Sequence, residues 1–311
     1  MPTVDEIRNG SVLAIARLIC DVDDGDPAAD TILRKLFPHT GKSRILGITG
    51  LPGAGKSTLI SHLITYYRKA GLEVGVISID PTSPFSGGAI LGDRIRMQEH
   101  NADPGVFIKS VGTRGGSGGL SRSVCDIVRV FEAAGKEIVL IETVGVGQDE
   151  VDIFKIVQQV LVVMAPGLGD DIQAIKAGVL EIADIFVVNK CDLPGADRTA
   201  REMAEAGDDH VAGTSKPVLL TDAIHNQGIA ELMKQVEDGF RKFDDPMVSA
   251  KYRTRRCRYE IEMKVRDRLL EKLREEFKEN AGLAAILTKV ADGKTDPYTA
   301  VDEIVKRYTV R

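Results

Sequence analysis

Gly50-Leu51-Pro52-Gly53-Ala54-Gly55-Lys56-Ser57 is the stretch that decides the fold. It satisfies G-x-x-x-x-G-K-S/T, a loop whose backbone N–H groups close around a polyphosphate. The flanks supply the context this pattern requires. Arg44-Ile45-Leu46-Gly47-Ile48-Thr49 reads as a buried strand entering the loop, and Thr58-Leu59-Ile60-Ser61-His62-Leu63-Ile64 as a helix leaving it. Gly53, Ala54 and Gly55 would line the cradle, with Thr58 in the first helical turn. The positive end of that helix favours an anion. In such a loop Lys56 reaches the β- and γ-phosphates, and the Ser57 hydroxyl takes Mg2+.

A second motif selects the base. The apolar run Ile182-Ala183-Asp184-Ile185-Phe186-Val187-Val188 ends in Asn189-Lys190-Cys191-Asp192, an N-K-x-D element. The Asp192 carboxylate accepts from guanine N1–H and from the exocyclic amine. Adenine offers no such donor pair, so a buried Asp192 would face ATP unpaired, which makes the discrimination strong. Thr221-Asp222-Ala223 reads as the loop closing the base pocket, with Thr221 a candidate ligand and the Ala223 backbone aimed at guanine O6. GTP and GDP are therefore the expected nucleotides.

Between these motifs the strand Glu137-Ile138-Val139-Leu140-Ile141 leads into Glu142-Thr143-Val144-Gly145-Val146-Gly147-Gln148. Small GTPases carry D-x-x-G at this place; this chain has E-x-x-G. Glu142 would hold a Mg2+ water and the Gly145 N–H would approach the γ-phosphate, making the segment a switch. Gln148 has two readings, as water-positioning group or as a partner contact. Asp80 ends a strand before Pro81-Thr82-Ser83-Pro84, and Asp93 lies in Gly87–Met97. Each is either a further metal ligand or, respectively, a turn former and a surface residue. The candidate metal set is Ser57, Asp80, Asp93 and Glu142. Ala165–Lys176 follows another strand; Asp170 and Asp171 there are open to a plain capping role.

The chain has 311 residues, 43% hydrophobic and 28% charged, enough for one sizeable α/β core with extensions. A net charge of −5 gives no nucleic-acid footprint. Lys251–Arg258 is the basic exception and reads as the solvated start of a charged helix. Cys20, Cys125, Cys191 and Cys257 are scattered without metal or disulfide spacing. No apolar signal core or bilayer-length run occurs, so the expectation is a cytoplasmic protein with no membrane partner.

Apolar runs at Ile45–Thr49, Val74–Ile79, Val106–Val111, Ile138–Ile141, Val160–Met164, Ile185–Val188 and Val218–Leu220 alternate with helical segments. Runs apolar throughout indicate strands covered on both faces. The predicted class is an α/β P-loop NTPase fold, a mostly parallel central sheet flanked by helices, with helical N- and C-terminal extensions. The predicted division is 1–40, an N-terminal helical extension; 41–244, the P-loop domain; and 245–311, a C-terminal helical arm. Val4–Cys20 reads as one helix burying Ile7, Val12, Ile15, Ala16 and Ile19, followed by a second over Asp30–Phe37. In the arm, Tyr259, Met263, Leu270, Leu273 and Phe277 form a narrow stripe suited to dimerisation or to packing on the core. A last helix would start at Asp296-Pro297 and bury Ala300, Val301, Ile304 and Val305.

Taken together, these strings resemble the GTPases that accompany adenosylcobalamin-dependent acyl-CoA mutases, the MeaB/ArgK type of methylmalonyl-CoA-mutase-associated chaperone. The resemblance rests on Gly50–Leu59, Asp80-Pro81, Ile90–Arg94, Arg96-Met97, Arg114-Gly115, Gly118–Leu120, Glu142–Gln148, Pro166-Gly167 with Gly169-Asp170, and Asn189–Asp192. It implies a homodimeric GTPase, joined through its C-terminal arm, that binds the mutase. Such a protein gates adenosylcobalamin loading and protects or rescues the mutase from inactivation. It also implies that the segment matching Pro166–Lys176 is an additional switch, with Asp170, Gln173 and Lys176 as regulatory residues. Lys176 then joins Lys56, Glu142 and Gln148 as a catalytic candidate. Two enzymatic alternatives are a metallocentre-assembly GTPase and a kinase of a transport binding protein; a third is a non-hydrolysing scaffold.

Overall fold

A computed structural model describes residues 1–80, 97–112, 123–143, 149–167, 177–207, 215–279 and 281–309. Its strands are β1 (Arg44–Gly50), β2 (Val74–Asp80), β3 (Val106–Gly112), β4 (Ile138–Glu142), β5 (Gln159–Met164), β6 (Ile185–Val188) and β7 (Val218–Leu220). They form one sheet in the order β3-β2-β4-β1-β5-β6-β7, and every pairing is parallel. The predicted class therefore holds. The helices are α1 (Val4–Arg8), α2 (Val12–Asp24), α3 (Pro27–Leu36), α4 (Lys56–Lys69), α5 (Ser123–Ala133), α6 (Asp149–Asp152), α7 (Ala177–Ile182), α8 (Ala196–Gly207), α9 (Ile229–Arg241), α10 (Pro246–Glu279), α11 (Ala281–Ala291) and α12 (Pro297–Thr309).

Both faces of the sheet are covered, which is why its strands lack polar alternation. On one face Leu46, Ile48, Val76, Leu140 and Val163 share a core with Leu63 and Tyr67 of α4 and Leu232, Val236 and Phe240 of α9. Burying each such side chain stabilises by about 1.5–3 kcal/mol. On the other face Phe131 of α5 meets Phe107 at 5.5 Å between ring centroids. Helices α1, α2 and α3 pack against α5. The sheet places the carboxyl ends of β1, β2, β4 and β6 together along one edge, where ligands of such folds bind.

The single N-terminal helix expected over Val4–Cys20 is two. Helix α1 ends at Arg8 with Asn9 as its cap, Gly10 takes a φ of 74°, and Ser11 caps α2 through a bond from the Ala14 N–H. That restart shifts the apolar face, leaving Val12 exposed while Ala14, Ile15, Leu18 and Ile19 are buried. The following turn matches its residues: Gly25 is left-handed, Asp26 caps α3 and Pro27 opens it.

The chain divides into two compact units, Met1–Cys257 and Arg258–Arg311. Within the first, the basic stretch is not simply a solvated helix start. Tyr252 and Arg256 are buried, and Arg255 is partly so. The Tyr252 hydroxyl donates to Ile156 O at 3.0 Å, and Arg255 Nη2 donates to Val157 O at 2.9 Å. Burial pushes the Tyr252 hydroxyl up to about 12. Arg256 donates twice to Glu132 of α5, at 3.0 and 2.9 Å. Burial alone would depress the Arg256 guanidinium; the bonds and charge of Glu132 outweigh it and hold the group above its ordinary value. Removing one partner of a buried pair leaves an uncompensated charge, so Glu132→Gln is expected to cost about 3–5 kcal/mol. Urea denaturation checks this. The double variant Glu132→Leu with Arg256→Met should recover most of the loss; no recovery would mean the pair is not the cause.

The second unit has its own small core of Leu283, Ile286 and Ala300, with Leu273, Phe277, Val290 and Ile304 packed on it. Helix α11, which the sequence reading does not separate from the arm, supplies Leu283, Ile286 and Val290. Of the apolar residues expected inside α12, Val301 and Val305 are exposed. From α12, Ala300 and Ile304 join this core, four apart and so on one helix face. Along α10, Leu270 is exposed and a second apolar row, Ile261, Val265 and Leu269, also faces solvent.

Candidate functional site

The loop between β1 and α4 depends on glycine at two points. Gly50 has a φ of 132°, and a Cβ there would lie 2.0 Å from Val163 O. Gly55 has a φ of 92°, and a Cβ there would meet Asn189 Nδ2 at 2.3 Å. Lys56 is buried, with Nζ donating to Gly50 O at 2.8 Å and Leu51 O at 3.1 Å. The ammonium is thus folded across the loop it opens. Gly55 precedes α4 without a side-chain cap, so the first-turn N–H groups of a 14-residue helix are directed at the loop. Gly53 is exposed on the rim, Ala54 is buried, and Thr58 is half-buried.

Oxygen donors gather beside this cradle. Ser57 Oγ donates to Glu142 Oε1 at 3.0 Å, and both residues are buried. The parallel register explains the meeting: Glu142 pairs with Ile48 of β1 on one side and Ser78 of β2 on the other. Asp80, also buried, stands two residues beyond Ser78. Thr143 Oγ1 donates to Thr49 Oγ1 at 2.8 Å, and the Thr143 N–H donates to Ile48 O at 3.0 Å. These bonds stitch β1 to β4 where the loops leave the sheet. A hydroxyl and two carboxylates are the hard oxygen donors that suit Mg2+, so the residues present fit that ion. Among the described residues no group of three or more His, Cys, Asp or Glu is placed to hold a metal.

Asn189 joins the base side to the cradle. It is buried; Nδ2 donates to Ala54 O at 2.8 Å, and Oδ1 accepts from Thr221 Oγ1 and the Ala223 N–H, each at 3.1 Å. The Thr221 hydroxyl and the Ala223 amide are thus engaged with Asn189. Lys190 takes a φ of 59°, uncommon for a residue with a side chain, and turns the chain so that Asp192 follows. Asp192 is exposed, against the buried position expected. Asp222 explains the form of the next loop. Its Oδ1 accepts from the Ile224 and His225 N–H groups at 3.0 and 3.2 Å, and its Oδ2 lies 2.5 Å from His225 Nδ1. The bond to His225 holds the Asp222 carboxyl below the usual carboxylate range. Asp222 shapes the turn.

Asp93, Gly145, Gln148, Asp170, Gln173 and Lys176 lie outside the described residues. Of the remaining candidates, the structure brings Lys56, Ser57 and Glu142 together at the cradle, leaves Asp80 buried at the end of β2, and joins Asn189, Thr221 and Ala223 through hydrogen bonds. Sequence reading missed the Thr49–Thr143 stitch. A threonine next to each motif was its only signal.

Parallel sheet, glycine cradle and N-K-x-D element define a P-loop GTPase. The chain belongs to the family described as methylmalonyl Co-A mutase-associated GTPase MeaB, which it matches over residues 15–278. It is accordingly a GTPase that binds guanine nucleotide. It is 46% identical over 308 residues to a Pyrococcus abyssi protein named as a GTPase, covering 97% of this chain and 95% of that one. It is 41% identical over 210 residues to the Caenorhabditis briggsae protein named methylmalonic aciduria type A homolog, mitochondrial, covering 61% of this chain and 51% of the relative. The crystal structure of an LAO/AO transport system kinase superposes with a TM-score of 0.68 at 23% identity, over 99% of this chain and 96% of that one, and speaks for the fold. Among the described residues no helix is long and apolar enough to cross a membrane.

Proposed function

We propose that this protein is a cytoplasmic, Mg2+-dependent guanine-nucleotide switch for an adenosylcobalamin-dependent acyl-CoA mutase, methylmalonyl-CoA mutase or a relative. In this reading it gates cofactor loading and protects or reactivates the mutase. Family membership supports the partner. The observation that carries the switch is the buried Ser57–Glu142 bond beside Lys56, because Glu142 heads the E-x-x-G segment. A change at the γ-phosphate then acts directly on the residue from which that segment departs.

Gly53, Ala54, Gly55, Lys56 and Thr58 bind the phosphates. Asn189, Lys190, Asp192, Thr221 and Ala223 form the base side. Ser57, Asp80 and Glu142, with Asp93, hold Mg2+, which when bound neutralises charge on the β- and γ-phosphates. Gly145 senses the γ-phosphate. Catalysis is positioning and charge neutralisation by Lys56 and Glu142, with Gln148 and Lys176. Asp170, Gln173 and Lys176 transmit mutase contact.

Residues 245–311 serve as an arm for homodimerisation. The exposed row Ile261, Val265 and Leu269, spaced four apart on α10, supports this, since such a row is suited to a second helix. The test is GTP turnover measured alone and with purified methylmalonyl-CoA mutase. A severalfold rise on adding the mutase is expected. Identical turnover, together with no co-elution of the two proteins, would remove the partner.

A further inference from the structure

His62 carries no role in the reading above. It lies on α4, two turns beyond the phosphate cradle, and its Nε2 is 2.5 Å from Ala223 O. A carbonyl oxygen only accepts, so Nε2 is the donor. Ala223 therefore bonds in two directions: its N–H to Asn189 Oδ1 and its carbonyl to His62. Asn189 in turn donates to Ala54 O, immediately before the cradle's last glycine. The result is a closed circuit. It runs from Ala54 through Asn189 and Ala223 to His62, and back along α4 to the cradle.

Thr221 is tied to the β6 side, its N–H donating to Val188 O at 2.9 Å, its hydroxyl to Asn189 Oδ1 and its carbonyl accepting from the Cys191 N–H; beyond Ala223 the loop leans on itself. Asp222 and Gln227 exchange backbone bonds at 3.0 Å, and Asp222 Oδ1 accepts from the two N–H groups that follow Ala223. Ile224, next to Ala223, is 77% exposed. It lines a groove of about 1100 Å³ between α4 and α9, together with His62 and Ala223. Solvent therefore borders the loop on its outer side, and the bond from His62 restrains it there. Loss of that bond would free Ala223 to rotate away from Asn189 without touching Lys56 or Ser57.

We propose that His62 is a positioning residue for guanine. It sets the Thr221–Ala223 loop relative to Asn189, and so acts on base recognition and not on phosphate binding. The proposal rests on the assignment of Thr221–Ala223 to the base side.

The test compares wild-type protein with His62→Met and His62→Gln, titrated with fluorescent GDP and, separately, with inorganic tripolyphosphate. Methionine fills space without a donor; glutamine restores an N–H. One hydrogen bond of this kind is expected to shift GDP affinity by about three- to tenfold in His62→Met. Tripolyphosphate affinity should be unchanged, and His62→Gln should return GDP affinity to near the wild-type value. GDP affinity unaltered in His62→Met, or both ligands weakened equally, would overturn the proposal. If His62→Met did not fold, His62→Leu would carry the same comparison. Titration of wild-type protein with fluorescent ADP keeps the two readings apart. Wild-type protein that takes GDP and ADP equally defeats the base-side assignment itself. Clear GDP preference with an indifferent His62→Met defeats only the role of His62.

Discussion

Lys56→Ala should lower GTP turnover by about 10²–10³-fold, the usual loss when one preorganised charge is removed from a transition state. The expectation follows from the position of the ammonium. It is buried and held at the cradle by Gly50 O and Leu51 O. In an in-line transfer, charge develops on the γ-phosphoryl oxygens, and a fixed cation there acts more in the transition state than in the ground state. Turnover should therefore fall more than nucleotide affinity. The measurement is single-turnover hydrolysis beside a GDP titration. A variant that binds GDP normally and hydrolyses GTP at the wild-type rate would remove Lys56 from the mechanism. A thermal melt of the variant separates this from a folding defect, because Lys56 also braces its own loop.

Asp192→Asn should weaken GTP binding by about 10²–10⁴-fold, since one of the two hydrogen bonds loses its charged acceptor and the other becomes a donor facing the exocyclic amine. It should also admit xanthine nucleotides. Xanthine carries a carbonyl where guanine carries its amine, and an asparagine amide offers one acceptor and one donor to match. The structure sharpens this expectation. Asp192 is exposed, so its carboxylate is solvated until the base covers it. Discrimination then arises on binding, when an adenine would bury the charge unpaired. Competition of GTP, XTP and ATP for one fluorescent guanine nucleotide reads all three affinities. Unchanged selectivity would place the base elsewhere.

The sheet was legible because its inner strands β1, β2, β4, β5 and β6 are buried on both faces, and the half-buried edge strands β3 and β7 still read as apolar runs. Ile185–Val188 and Val218–Leu220 coincide with β6 and β7, and the other runs differ by a residue or two at their ends. The cradle was legible because phosphate binding demands glycines at fixed offsets. What escaped notice depends on partners distant in sequence. Arg256 sits in a stretch whose charge reads as solvent-facing, yet its partner Glu132 is 124 residues away. His62 looks like any polar residue on an amphipathic helix; only the fold brings Ala223 to it. Asp192 was expected inside and is outside, because the motif specifies a hydrogen-bonding pattern and not a depth. The break at Gly10-Ser11 carried a local signal, a glycine followed by a capping serine, that the apolar periodicity overrode.

Calorimetric titration of the full-length protein with GDP and then ADP, both with Mg2+, bears most directly on the central claim. The account predicts that GDP saturates one site per chain and that ADP binds at least about a hundredfold more weakly. Equal affinity for the two, or binding of neither, would contradict it.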